Sequence, residues 1–286
     1  STKTTDVAAV IPSTTMQRIV EKLEEHGQIY ALVTKTNIKG GVTIPTSSAK
    51  PVATWVAEGA SSDTQKKSTG SITFSYYKLR CAISMSLEAS VVSLDFFETV
   101  FANQVADAMI AAIETAIIKG DGSGKPKGIT KETVVSGQNV DIALASGITY
   151  NTLWNMMSKI PSGYRAGVKW FMNWTTFCII QAMTDTQGQP IAMVNYGING
   201  SMQPSILGIP VVFSDDIDAY TDAVSADTIV AFLFRPEDYI LNTNLAMTVK
   251  RYEDNDTEDQ VTKAVMLVDG KVVDKNSLVT LTKKSK

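Results

Sequence analysis

Apolar residues at Phe97, Val100, Phe101, Val105, Ala108, Met109, Ala112, Ile113, Ala116 and Ile117 recur at three- and four-residue spacing. That period predicts a single amphipathic helix over residues 94 to 119, with one stripe along its whole length. At about 1.5 Å per residue such a helix is roughly 39 Å long and needs a broad surface to lie on. It stops in a glycine-rich turn containing Gly120, Asp121, Gly122, Gly124, Pro126 and Gly128. Gly120 fits a left-handed cap there, and Pro126 blocks a restart.

Upstream, residues 42 to 86 predict a two-stranded ribbon. Val42, Ile44, Val52, Thr54 and Val56 lead to a polar tip at residues 57 to 70, and residues 71 to 86 return. On the return the apolar positions are even at Ile72, Phe74 and Tyr76, then odd at Tyr77, Leu79, Cys81, Ile83 and Met85. A change of parity requires a bulge or a twist. The inner half is expected in a parent sheet, and the outer half to carry aromatics where its own domain offers no core. A ribbon of that reach is marginal alone in water. Before it, Thr14 to Gln17 has a capping-box layout opening a short helix through Glu25, with Met16, Ile19, Val20 and Leu23 as its buried stripe and Gly27 as its end.

After Gly128 the pattern becomes α/β: a helix at 150–160 stopped by Pro161, a strand at 168–172, and a helix at 174–183 capped by Asn173. Residues 185 to 204, rich in Gly, Gln, Asn and Pro, predict a long loop. Strands follow at 209–213 and 228–234. Asp269-Gly270, flanked by 265–268 and 271–273, is a hairpin signal, and a last strand covers 278–281.

Composition narrows the function. At 286 residues, 44% hydrophobic and 19% charged, the chain builds one large domain or two ordinary ones. No apolar run approaches the length of a bilayer span. A net charge of −3 argues against tight, charge-driven nucleic-acid binding. Cys81 and Cys178 show no metal-ligand spacing and are expected to be buried thiols. The single histidine, His26, stands beside Glu24, Glu25 and Gly27, a helix-end setting and not a triad. Gly124-Lys125 is followed by Pro126 and comes after a helix, so it is no phosphate loop. Asp254, Asp256 and Glu258 alternate like calcium ligands, but Asp259 and Val265 occupy the glycine and glutamate positions of that motif. Asp215, Asp216 and Asp218 read as a strand-end turn. No catalytic, metal or cofactor site is expected; a rival reading makes the α/β lobe a monomeric hydrolase with Asp185 or the Asp215 cluster as its acids.

The long helix with its GDGSG-x-PKGI turn resembles the spine helix of tailed-bacteriophage major capsid proteins, the Hong Kong 97-type fold shared with encapsulin shells. The resemblance extends in order through Ile44-Pro45, Thr54 to Gly59, Tyr77 to Leu79, Gly163 to Arg165, Trp170 to Asn173, Asp185 to Gly188 and Leu207 to Val212. It implies an α+β fold. Residues 1–27 would be an arm and short helix, 28–135 and 225–286 a peripheral domain, and 136–224 an inserted axial domain. It further implies a virion shell protein, assembled in the bacterial cytoplasm into hexamers and pentamers around double-stranded DNA that it touches non-specifically. A portal, and a scaffold or maturation protease, would be its other partners; an encapsulin-like compartment is the alternative within the fold. The extended loop, with Trp55, Glu58, Lys66, Lys67, Phe74 and Tyr76, would lie on a neighbouring subunit. The axial loop, with Asp185, Gln187, Gly188, Asn195 and Tyr196, would face a ring axis. Some relatives join a loop lysine to a neighbour's asparagine, but the polar setting of Lys66 and Lys67 leaves them protonated, and a shell without cross-links is expected. Ser1 is expected to be a processed end.

Overall fold

The computed structural model describes residues 9–10, 28–39, 43–47, 55, 69–85, 94–185, 187–189, 195–196, 202–254 and 259–286. The helix expected at 14–25 and His26 lie outside them. In chain order the elements are β1 (Ala9–Val10), α1 (Gln28–Leu32), β2 (Thr34–Thr36), β3 (Thr43–Ser47), β4 (Thr69–Thr73), β5 (Tyr77–Met85) and α2 (Leu94–Lys119). Then come β6 (Asn139–Ile142), α3 (Tyr150–Ser158), β7 (Lys169–Met172), α4 (Trp174–Gln181), β8 (Asn195–Tyr196), β9 (Met202–Gln203), β10 (Ser205–Ile206) and β11 (Ile209–Phe213). β12 (Thr228–Phe234), β13 (Tyr239–Glu253), β14 (Gln260–Val272) and β15 (Val279–Lys283) complete the chain.

Two sheets meet at the spine helix α2. One runs β1-β13-β14-β5, with β2 beside β13; the other runs β10-β11-β7-β12-β15-β6. In the six-stranded sheet successive side chains alternate between two cores, as a sheet covered on both faces requires. Phe171, Val212, Phe232 and Phe234 pack with the spine residues, while Trp170, Met172, Val211, Ala231 and Leu233 pack with α3 and α4 residues Leu153, Met156, Phe177 and Ile180. Phe171 and Phe232 stack with centroids 5.0 Å apart. β12 and β15 therefore lie in the middle of the lobe's sheet, between β7 and β6. A run as apolar as Thr228–Phe234 is buried on both faces only inside a covered sheet.

The spine helix has the expected bounds and is 26 residues long. The side chains of Phe97, Val100 and Phe101 lie outside what the structure describes. From there on, the buried face is rotated from the expected one: Ala108 and Ala112 are exposed, while Ala106, Ile110 and Ile118 join Val105, Met109, Ile113 and Ile117 in the core. The helix is apolar nearly all round, so spacing alone admits more than one stripe and the sheets select among them. Glu114 on this helix accepts the Ile29 N–H at 2.9 Å and so tethers the start of α1.

The end of the spine is closed by backbone contact. Gly122 (φ 79°) and Gly124 (φ 70°) are left-handed, but Gly120 is not. A Cβ on Gly120 would fall 2.0 Å from the Pro126 carbonyl oxygen, and one on Gly128 would fall 2.5 Å from that of Ile118. Glycine is required here for approach, not for handedness. The Gly128 N–H donates to Gly120 O at 2.8 Å and the Lys127 N–H to Gly270 O at 2.9 Å, which sews the turn to β14.

Asp269-Gly270 does not make a hairpin; β14 runs through it. Tyr239 on β13 lies over Gly270, where a Cβ would come within 2.5 Å of its hydroxyl oxygen, and that hydroxyl donates to Lys127 O at 3.1 Å. The glycine makes room for a ring. The actual hairpin joins β13 to β14, with the Asp254 N–H bonded to Asp259 O at 2.9 Å; Asn255, Asp256 and Glu258 lie outside the described residues. Both thiols are free, and Cys178 is exposed, contrary to expectation, because α4 turns it away from the sheet.

Gly120→Ala should destabilise the monomer by about 3 kcal/mol, since main chain cannot yield to the added carbon. Gly124→Ala, with open space around it, should cost about 1 kcal/mol for its left-handed backbone alone. Urea unfolding of the two variants measures the contrast; equal losses would refute the close-approach account.

Candidate assembly surfaces

β3 and β4 pair as a separate antiparallel ribbon from Thr43↔Thr73 to Ser47↔Thr69. At its root the chain breaks between β4 and β5, and three residues, Phe74, Ser75 and Tyr76, absorb the change of parity. The Ser75 N–H donates to the Asp269 carboxylate at 2.5 Å, Lys271 Nζ donates to Thr73 O at 2.6 Å, and Tyr77 Oη donates to Gly122 O at 2.8 Å. The ribbon is thus bolted to β14 and to the glycine turn. Asp269 is buried and also accepts its neighbour Gly270's N–H at 2.8 Å. Burial pushes its carboxyl above the usual aspartate range, although both N–H donors and the Lys271 charge pull the other way.

Of the residues expected at this surface, Trp55 is fully exposed (105%) and Tyr76 is 43% exposed. Phe74 is 2% exposed and is corrected to a core residue: it sits at the root, where the sheet offers a core that the outer ribbon lacks. Glu58, Lys66 and Lys67 lie outside the described residues. The glycine-turn residues come together with β5 and β14. The Gly120, Ser123, Lys127 and Gly128 N–H groups are spent on internal acceptors, which closes the turn on itself and on β14. Asp121 takes the Ser123 N–H at 3.0 Å, and that bond, with the nearby lysines, holds its exposed carboxyl below the usual range.

After α4, Asp185 Oδ1 accepts the N–H groups of Gln187 (2.9 Å) and Gln189 (2.8 Å), forming a tight turn in which Gly188 has φ 80°. Asn195 and Tyr196 pair with Gln203 and Met202 as a small ribbon. The structure does not bring these residues together with the extended ribbon. Tyr150 and Trp154 on α3, and Trp174 and Ile179 on α4, are further exposed apolar side chains that the sequence reading missed. The i, i+4 spacing of Tyr150 and Trp154, opposite the stripe Leu153, Met156 and Met157, was the available signal.

The acidic residues do structural work. Asp216 accepts Thr115 Oγ1 at 2.9 Å, Asp218 pairs with Lys119 at 2.8 Å, and Asp215 accepts Asn173 Nδ2 at 3.4 Å, so the cluster ties the loop after β11 to the spine and to the α4 cap. No two of them converge as an acid/base pair. Where the two sheets join, Arg235 pairs with buried Asp238, which also accepts Ser277 Oγ at 2.8 Å. Nearby, Asp274 accepts Tyr164 Oη at 2.6 Å and the Asn276 N–H at 3.0 Å; these bonds and the Arg235 charge outweigh burial and bring its carboxyl below the usual range. Lys283 is fully buried and donates to the carbonyls of Ala143, Leu144 and Ser146. Among the described residues no group of His, Cys, Asp and Glu could hold a metal ion, and no helix is long and apolar enough to cross a membrane.

A long helix crossing two sheets, with a ribbon projecting from one of them, is the architecture of phage-type capsid subunits. The chain superimposes on a capsid subunit of the native GTA particle with a TM-score of 0.78 at 20% identity, covering 99% of this chain and 94% of that one. It matches a chain from Gordonia phage Cozz with a TM-score of 0.65 at 16% identity, covering 91% and 87%. At these identities the likeness is one of fold. The major capsid protein of Escherichia phage T5 is 26% identical over 248 residues, which is 82% of this chain and 53% of that protein, so the chain spans about half the length of its curated relative. The model of the Phage capsid family matches residues 7–283, and the chain belongs to that family. It is a family of structural proteins, in keeping with carboxylates that tie elements together instead of converging on a site.

The Asp269 root gives a pH signature. Because its folded carboxyl titrates above the ordinary 3.8, the folded chain keeps a proton that the unfolded chain has released. Its contribution to stability is therefore full below that value and is lost as pH rises through the raised one. Asp269→Asn lacks the slope, so the stability of the variant relative to wild type should rise from about pH 4 upward and then level off. A difference independent of pH between 4 and 7, by urea unfolding, would contradict the assignment.

Proposed function

We propose that the chain is the major capsid subunit of a tailed phage, self-assembling as pentamers and hexamers into an icosahedral shell around double-stranded DNA. The observation that carries this reading is the family match along residues 7–283, and the ribbon supports it. β3 and β4 have no core of their own, and Trp55 beyond them is wholly exposed, as befits a segment stabilised by a neighbour. Contacts between rings would be heterologous and closed by rotation. The axial loop around Asp185, Gln187, Gly188, Asn195 and Tyr196 would face the ring axis. A portal, a scaffold or maturation protease, and non-specific DNA contact belong to the same reading, as does assembly in the host cytoplasm.

Light scattering and electron microscopy of the purified chain should show rings or closed shells, and particles from infected cells should protect DNA from nuclease. A monomer that persists at high concentration across salt and pH would refute the shell. Particles that hold a protein cargo and no nucleic acid would favour a nanocompartment.

The shell is expected to lack covalent cross-links. Asn242 is buried, its Oδ1 accepting Thr36 Oγ1 at 2.9 Å and the Ile38 N–H at 3.1 Å, so its carboxamide is not presented to a neighbour's lysine, and the exposed Asn276 carboxamide is already engaged with Tyr164 and Asp274. Boiled, reduced particles should run as one band near 30.9 kDa. A ladder abolished by Lys66→Ala or Lys67→Ala would overturn this.

A further inference from the structure

A groove of about 370 Å³ opens between the C-terminal half of the spine helix and the edge strand β5. Its volume lies in the range, roughly 300–1,000 Å³, of pockets that take small ligands. Tyr77, Leu79 and Val268 form one wall and Ala112, Ile113 and Ala116 the other, with Pro126 closing the end. The groove exists because the exposed side of the helix carries alanines: Ala112 is solvent-exposed and leaves the space open. Lys78, Lys119 and Lys125 stand around it, and Lys119 and Lys125 already have Asp218 and Asp121 beside them. It is therefore an apolar slot with a basic margin.

The chain also carries a matching segment. Residues 51–65 contain Trp55 and the acids Glu58 and Asp63 and no basic residue. The Trp55 indole is fully exposed, so its own groove is not its seat within one copy. Indoles bury roughly 150–250 Å² when they dock, and a fully exposed one forgoes that gain. We propose that the groove between α2 and β5 is the receptor for Trp55 of a second copy of the chain, with Lys78 at the mouth opposite the acidic residues that follow the indole. The proposal rests on the shell reading and deepens it by giving the extended loop a specific seat. The contact is heterologous, since groove and indole lie on different parts of the subunit, and it propagates from copy to copy.

Two variants test it. In a background of Cys81→Ser and Cys178→Ser, Ala57→Cys combined with Ala112→Cys, which keeps the Trp55 indole, should give a ladder of dimers and higher species when assembled particles are treated with a short bis-maleimide. Neither single-cysteine chain should do so. A product confined to the monomer mass, or no ladder from intact particles, would overturn the proposal. Ala112→Trp fills the groove from an exposed position, so the subunit should melt like wild type while the concentration needed for assembly rises at least tenfold. Assembly at the wild-type concentration would sink the groove assignment and leave the shell reading standing. If the wild-type chain never forms particles, the shell reading itself fails.

Discussion

Gly120 and Gly128 let two stretches of main chain approach more closely than any side chain permits, and this contact at the end of the spine helix holds the fold in register. The turn folds back on the helix, the Lys127 N–H reaches β14, and Tyr239 reaches the Lys127 carbonyl across Gly270. Tyr77 then bonds Gly122 from the first residue of β5. Helix end, central hairpin and ribbon root are thereby fixed to one another by hydrogen bonds between buried or half-buried groups, which are costly to leave unmade. The direction in which the extended ribbon leaves the body follows from that junction.

Polar groups elsewhere act as ties. The aspartates after β11 bind the lobe to the spine, Arg235 and Asp238 hold the crossing from one sheet to the other, and Lys283 caps three carbonyls beside the last strand. Breaking a buried pair such as Arg235 with Asp238 leaves an uncompensated charge, typically at a cost of about 3–5 kcal/mol. Such a subunit is stiff in the body and apolar at chosen places on its surface. That combination suits a unit whose energy of association comes from many neighbours and not from a bound ligand.

Much of this was legible in the chain. The bounds of the spine helix, of β11 and of β12 follow from period and from turn residues, because each is long or strongly apolar enough for local pattern to decide. Asn173 caps α4 as its residue type predicts, accepting the Thr175 N–H at 2.9 Å. The parity change in the return strand called for a bulge or a twist, and the structure meets it with a break between β4 and β5. The ordered motifs also carried the family. What the pattern did not reveal was partnership: nothing local marks Arg235 for Asp238, or Lys283 for three carbonyls, since those partners are brought together only by the sheets.

The sequence by itself determined the bounds of α2, β11 and β12 and the cap of α4, since hydrophobic period, capping residues and breakers act over a few residues. Tertiary structure decided which face of an almost uniformly apolar helix is buried, leaving Ala108 and Ala112 outside, and placed β15 beside β12 in the lobe's sheet. It also turned Asp269-Gly270 from an apparent hairpin into the seat of a tyrosine ring, and Phe74 from a surface aromatic into a core residue. These outcomes depend on which surfaces meet across the fold, and burial between distant segments is a property of the assembled layers that no window of neighbouring residues contains.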